Sequence, residues 1–225
     1  LEERIVAQRS IIERLMRQLS WIEQGVICDR PLGVWLFCGD SCCGKKTVMK
    51  EFTRAYFNQE ELLELDISTM ESSLPHVLSK IKHNPYTTIH IANLHTASLN
   101  TLQFLRQSIS KGFIEIQNQK IDLRHSIIIM SGDFKLVAQN TLRFAENQTY
   151  EQLLEKQLGK EFMEIFDEIF CFETLDENAK LSILRQETKN WHRIPDMTML
   201  KNALSQADTL THALKMLRFG MIHSN

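Results

Sequence analysis

Four prolines and eight glycines are few for a chain of 225 residues, and they exclude a collagen-like repeat or a long low-complexity segment. No apolar run approaches the roughly 18 to 20 residues of a membrane-spanning helix, so no span is expected. Charge of one sign is also missing. The 26 Lys and Arg against 28 Asp and Glu leave a formal charge of -2, without the basic face that nucleic acid or an anionic membrane requires. The five cysteines, Cys28, Cys38, Cys42, Cys43 and Cys171, are odd in number and contain no Cys-x-x-Cys pair. Free thiols in a reducing, cytoplasmic compartment fit this pattern better than a disulfide framework. The eight histidines miss metal-ligand spacings, and His83, His90 and His95 are expected at the surface or at strand ends rather than around zinc. The opening LEERIVAQRS lacks the apolar stretch of a signal peptide.

What is present is 43% hydrophobic and 24% charged residues, ordinary for a globular protein and sufficient for a sizeable core. Ile11, Ile12, Leu15, Leu19 and Ile22 recur at helical spacing over residues 8–23. CDRPLG then breaks the helix, and GVWLFC (33–38) reads as a buried strand leading through glycines into a helix over 46–57. Strands are predicted at LLELDIS (62–68), TTIHIANL (87–94), SIIIMSG (126–132) and 169–172, with SIIIMSG central. Helices are predicted over 75–84 and 98–110, and a hairpin over 112–124 about a polar turn at Asn118. From residue 176 onward the pattern is helical throughout. The expectation is an α/β fold: a mostly parallel sheet sandwiched by helices over residues 1–174, then a small all-helical lid over 175–225.

The most informative segment is GVWLFCGDSCCGKKTVMKEF, residues 33–52. Gly39, Gly44 and Lys45 match the phosphate-cradling pattern G-x-x-x-x-G-K-[ST], in the required strand–loop–helix context. Glycines let the backbone wrap an anion, and the helix aims its first N–H groups at it. Gly39, Asp40, Ser41, Cys42, Cys43, Gly44, Lys45, Lys46 and Thr47 are therefore the candidate nucleotide-binding residues. The plainer alternative is a glycine turn followed by a solvated lysine. Lys46 stands where a hydroxyl should hold magnesium, and an ammonium group has no lone pair to offer. Thr47 is turned about 100° away along the helix.

Several segments in order resemble the AAA+ ATPases, and among them the C-terminal ATPase domain of Clp-type, ClpB-like ring chaperones. IVAQRSIIERL (5–15) is similar to a segment near the adenine, with Ala7 where glycine is usual. RPLGVWLFCGD (30–40) resembles the approach to the phosphate loop, SKGFIEIQNQKIDLRHSIIIMSGD (110–133) the hairpin and sensor strand, and KEFMEIFDEIFCFETL (160–175) the end of the large subdomain. The P-loop type of fold, the lid, ATP or ADP as cofactor, and protein partners in a homo- or hetero-oligomeric ring are what the resemblance implies.

The same resemblance also locates departures from the family. Lys46 replaces the metal-holding hydroxyl. Ala92 and Asn93 stand where the family has Asp-Glu to support magnesium and polarise water, and residues 87–100 contain no carboxylate. Asp133 occupies the sensor asparagine's place. Ile165 falls where an arginine finger reaches the neighbouring subunit, and Asp208 where the lid carries a sensor arginine. The family's aromatic pore loop has no counterpart between residues 66 and 86. Phosphoryl transfer rests on metal, oriented water and positive charge, and the finger alone accounts for roughly 10³ to 10⁵ in rate. The expectation is a pseudo-ATPase with no catalytic residues and no metal site, acting in protein binding, ring assembly or regulation. Nucleotide retained without hydrolysis is one form of it. The alternative left open is an active subunit whose missing groups come from a partner.

Overall fold

The computed structural model describes residues 8–25, 29–40, 42–116, 119–134, 150–192, 194–207 and 209–222. Two compact units emerge, one of Ser10–Phe172 and one made mainly of Glu173–Asn225. Among the described residues no helix is long and apolar enough to cross a membrane.

The larger unit runs α1 (Arg9–Glu23), β1 (Gly33–Cys38), α2 (Lys45–Phe57), β2 (Leu63–Asp66), α3 (Met70–His83), β3 (Thr88–Ala92) and α4 (Leu99–Lys111). The hairpin β4 (Phe113–Ile116) and β5 (Gln119–Asp122) follows, then β6 (Ile127–Gly132), α5 (Tyr150–Leu158), α6 (Lys160–Met163) and β7 (Glu168–Cys171). Five strands form a sheet in the order β2-β3-β6-β1-β7, every pairing parallel, with β6 in the middle as its sequence predicts. β1, β3 and β6 are buried along their whole length, which is why they read as nearly unbroken apolar runs.

Strand alternation divides the side chains into two packings. Leu36, Ile89, Ile91, Ile128 and Met130 join Leu78, Ile81, Leu105 and Ile109 of α3 and α4 in one core. On the opposite face Trp35 meets Phe52 of α2 edge-on at 5.2 Å, and Phe37 meets Phe170 at 5.2 Å. α1 secures the β7 edge. Arg14 pairs with Glu168, donates to the Ile169 carbonyl at 2.7 Å, and lies over the Phe170 ring.

Three local expectations change. α3 begins at Met70 rather than at Pro75, so the proline sits inside the helix and leaves the Glu71 carbonyl without its helical donor. Ser72 and Ser73 hydroxyls, each 2.9 Å from the Thr69 carbonyl, tie down the first turn instead. α5 had no predicted counterpart, yet Leu154 and Leu158 pack it into the α3–α4 core. His90 lies neither at the surface nor at a strand end. It is buried within β3, its Nε2 2.8 Å from Ser131 Oγ and its Nδ1 without a hydrogen-bond partner.

The smaller unit packs α7 (Glu177–Thr188), α8 (Met197–Gln206) and α9 (Leu210–Ile222) around Leu181, Leu184, Leu200, Ala203, Ala213 and Leu217. Asp176 and Asp196 cap two of these helices by accepting from the Ala179 and Met199 amides at 2.6 and 2.8 Å.

Phe52→Ala removes the ring that joins α2 to β1 and should cost about 3–5 kcal/mol in urea unfolding; a loss under about 1 kcal/mol would contradict the packing. Burial pushes His90 down from 6.5 to about 4, so the folded state keeps it neutral where the unfolded chain protonates it. Its stabilisation is complete above pH 6.5 and is lost as pH falls toward 4, amounting to about 2 kcal/mol between pH 7 and pH 5. Unfolding of His90→Gln should show a correspondingly shallower acid dependence, and an unchanged slope would contradict the assignment.

Candidate functional site

The loop between β1 and α2 is shaped by its glycines. Gly39 has φ 134°, and a Cβ there would stand 2.7 Å from the Phe172 carbonyl oxygen. Gly44 caps α2 at φ 96° and has open space where a side chain would point. Cys42 takes a left-handed φ of 66° and is exposed, while Cys43 is buried. The first helical bond runs from the Val48 amide to the Gly44 carbonyl at 3.0 Å. The amides of Lys45, Lys46 and Thr47 thus stand at the helix start, where an anion binds most readily. Ser41 lies outside the described residues, as do Ala7, Asn118 and Asp208.

Lys45 draws the loop closed. Its Nζ donates to the Gly39 and Asp40 carbonyls at 2.6 and 2.8 Å and lies 3.8 Å from Cys43 Sγ. At 3.4 Å it also reaches Asp133 Oδ1, just past β6. Burial raises the Cys43 thiol, and the neighbouring Lys45 charge opposes that shift. The Asp133 amide donates to His95 Nδ1 at 3.1 Å, so His95 helps to fix the loop after β6.

Lys46 and Thr47 both face solvent at the start of α2. Lys46 Nζ approaches Glu64 Oε2 of β2 at 2.5 Å. Glu64 Oε1 lies 3.8 Å from His90 Nδ1. At the tip of β3, Ala92 pairs in register with Asp66 at the tip of β2. Asn93 follows in a left-handed turn, φ 60°, and donates its side-chain amide to Asp66 Oδ2 at 2.8 Å. Asp66 also accepts from the Ser68 hydroxyl and amide at 2.5 and 2.8 Å. The Ser68 bonds, with a smaller contribution from Asn93, hold its carboxyl below the usual range. Ile165 stands apart from this group. It is 5% exposed, within the α3–α4 core, and its carbonyl accepts from Arg30.

The parallel sheet thus brings the loop, Lys45, Lys46, Ala92, Asn93 and Asp133 to one edge, while Ile165 serves packing. Sequence reasoning missed Glu64, Asp66, His90 and His95 as members of this edge. A signal existed for the two carboxylates. Alternation in LELD puts Glu64 and Asp66 on one face, and ligands of open α/β sheets gather at the carboxyl ends of strands.

No protein-family model matches the chain. By sequence it is similar to the chaperone protein ClpB 1 of Synechocystis sp., 21% identical over 92% of this chain and 26% of that protein. It is similar also to the ATP-dependent Clp protease ATP-binding subunit ClpE of Bacillus subtilis, 22% identical over 82% of this chain and 30% of that protein. Among solved structures it superposes on a Hsp104–ADP complex of S. cerevisiae with TM-score 0.70, at 19% identity over 83% of this chain and 37% of the other. A closed-state reconstruction of Hsp104 with ATPγS and FITC casein gives TM-score 0.69, at 19% identity over 83% and 36%. The chain spans about a quarter to a third of the curated relatives it matches. The relatives by sequence are ClpB and other Clp proteins, and the Hsp104 structures share this chain's fold.

Proposed function

We propose that this chain is a catalytically silent Clp-type AAA+ domain, one that holds ATP or ADP without cutting it and works through protein partners in a ring or beside active subunits. The observation that carries the reading is the tip of β3. Ala92 offers no ligand there, and Asn93 commits its amide to Asp66. Asparagine is not a base, and the one carboxylate it touches is already bonded by Ser68.

The metal position supports the same reading. A magnesium ion needs oxygen donors in near-octahedral array. Lys46 brings an ammonium to that place and is drawn toward Glu64. A phosphate fits better than a metal does, because the amides at the start of α2 and the Lys45 ammonium are both positioned for an anion. Ile165, an apolar side chain in the core, supplies no charge to a neighbouring subunit. The passage from β2 through a short 3₁₀ turn, Ile67–Thr69, directly into α3 leaves no aromatic pore loop between them, which argues for assembly or regulation rather than polypeptide threading.

Binding to the native state raises the unfolding temperature, by about 2.7 kcal/mol of stabilisation at a hundredfold excess over Kd. ADP or ATP should therefore raise the melting temperature of the chain equally in EDTA and in magnesium, and Lys45→Ala should abolish the rise. A shift that requires magnesium would contradict the reading.

A further inference from the structure

We infer that Cys38 and Cys171 are a reversible redox pair, closing a disulfide between β1 and β7 when a peroxide is present.

Strand pairing sets the two thiols side by side. Cys38 ends β1, Cys171 ends β7, and the two are partners in the parallel register. Registered partners point their side chains to the same face of a sheet. One residue earlier, Phe37 and Phe170 show this on the α2 face, with rings 5.2 Å apart. Cys38 and Cys171 therefore share the opposite face, where Cys38 and Leu36 belong to the α3–α4 core and Ile169 packs against it. The Phe172 amide donates to the Cys38 carbonyl at 2.8 Å, so the strands are still joined at this point. Neighbouring strands lie about 4.8 Å apart. A disulfide spans roughly 4.4–6.8 Å between Cα atoms, and this pair falls inside that range.

The Cβ atoms must come closer, to about 3.8 Å, which asks the strand ends to close by roughly 1 Å. β7 is an edge strand and Cys171 its last residue, where such a shift disturbs the fewest neighbours. A bridge formed under that strain is easily reduced again, the property that separates regulatory disulfides from structural ones. Exposure sets the order of events, because Cys171 is exposed and Cys38 is buried. The Cys171 thiolate attacks a peroxide oxygen, the O–O bond breaks, and water leaves with the thiol's proton, giving a sulfenic acid. Cys38 Sγ then attacks Cys171 Sγ. The S–S bond forms as the S–O bond breaks, and the departing hydroxide takes the Cys38 proton as a second water. Two thiols are oxidised and one peroxide is reduced. Burial raises the Cys171 thiol and the Arg14 charge opposes that shift, so the oxidant is supplied in excess.

The test is treatment of the folded 225-residue chain with hydrogen peroxide, alkylation of the remaining thiols, and peptide mapping without reductant. The expected product is a peptide pair joined through Cys38 and Cys171, two hydrogens lighter than the separate peptides and lost on adding dithiothreitol. Cys171→Ser should abolish that product and leave Cys38 to be alkylated once the chain is unfolded. Bridges confined to Cys28, Cys42 and Cys43 would overturn the pair. So would Cys171 carried on to sulfinic acid while Cys38 stays a thiol. The same treatment in urea should give the Cys38–Cys171 product in clearly lower yield, and an equal yield would overturn the claim that the sheet brings the two together. The map of the unaltered chain decides the matter even if the variant folds poorly.

Discussion

The parallel pairing of β2, β3, β6 and β1 is the constraint on which the site depends. Because these strands run the same way, their carboxyl ends share one edge of the sheet. Asp66, Ala92 and Gly132 end their strands there, and Gly39 leaves β1 beside them. Burial holds that edge in place. The aliphatic core against α3 and α4 and the aromatic contacts against α2 fix strand positions that no site hydrogen bond could maintain alone.

On this scaffold the electrostatics run toward internal pairing. Lys45 is spent on loop carbonyls and Asp133, Lys46 on Glu64, and Asn93 on Asp66. Lys45 is only 12% exposed, so its contacts are less screened than those of Lys46, which is 54% exposed. Around the loop the charged and polar side chains are bonded to one another.

Much of this was legible in the sequence, for particular reasons. The glycines at 39 and 44 punctuate an apolar run and a helix, so the loop could be located to the residue. β6 is the most hydrophobic strand and is central, as full burial on both faces requires. The resemblance also put Ala92, Asn93 and Asp133 at one edge, where they lie. Other features depend on tertiary context. α5 carries Leu153, Leu154 and Leu158 in nine residues, and its place was visible only once Leu154 and Leu158 met the core. Pro75 reads as a helix start, yet serine bonds carry the helix five residues further back. His90 lies between Ile89 and Ile91 in an apolar run, but its Ser131 partner comes only with the pairing of β3 and β6. Alternation puts Glu64 and Asp66 on one face of β2, but their partners Lys46 and Asn93 reach them only through the tertiary arrangement of strands and helix.

The central claim is that the site binds without cutting. The most direct measurement is a single-turnover experiment, with the chain in large excess over labelled ATP in the presence of magnesium. The account predicts that the ATP is recovered intact at the rate of a protein-free control. Phosphate release that exceeds that control and disappears in Lys45→Ala would contradict it.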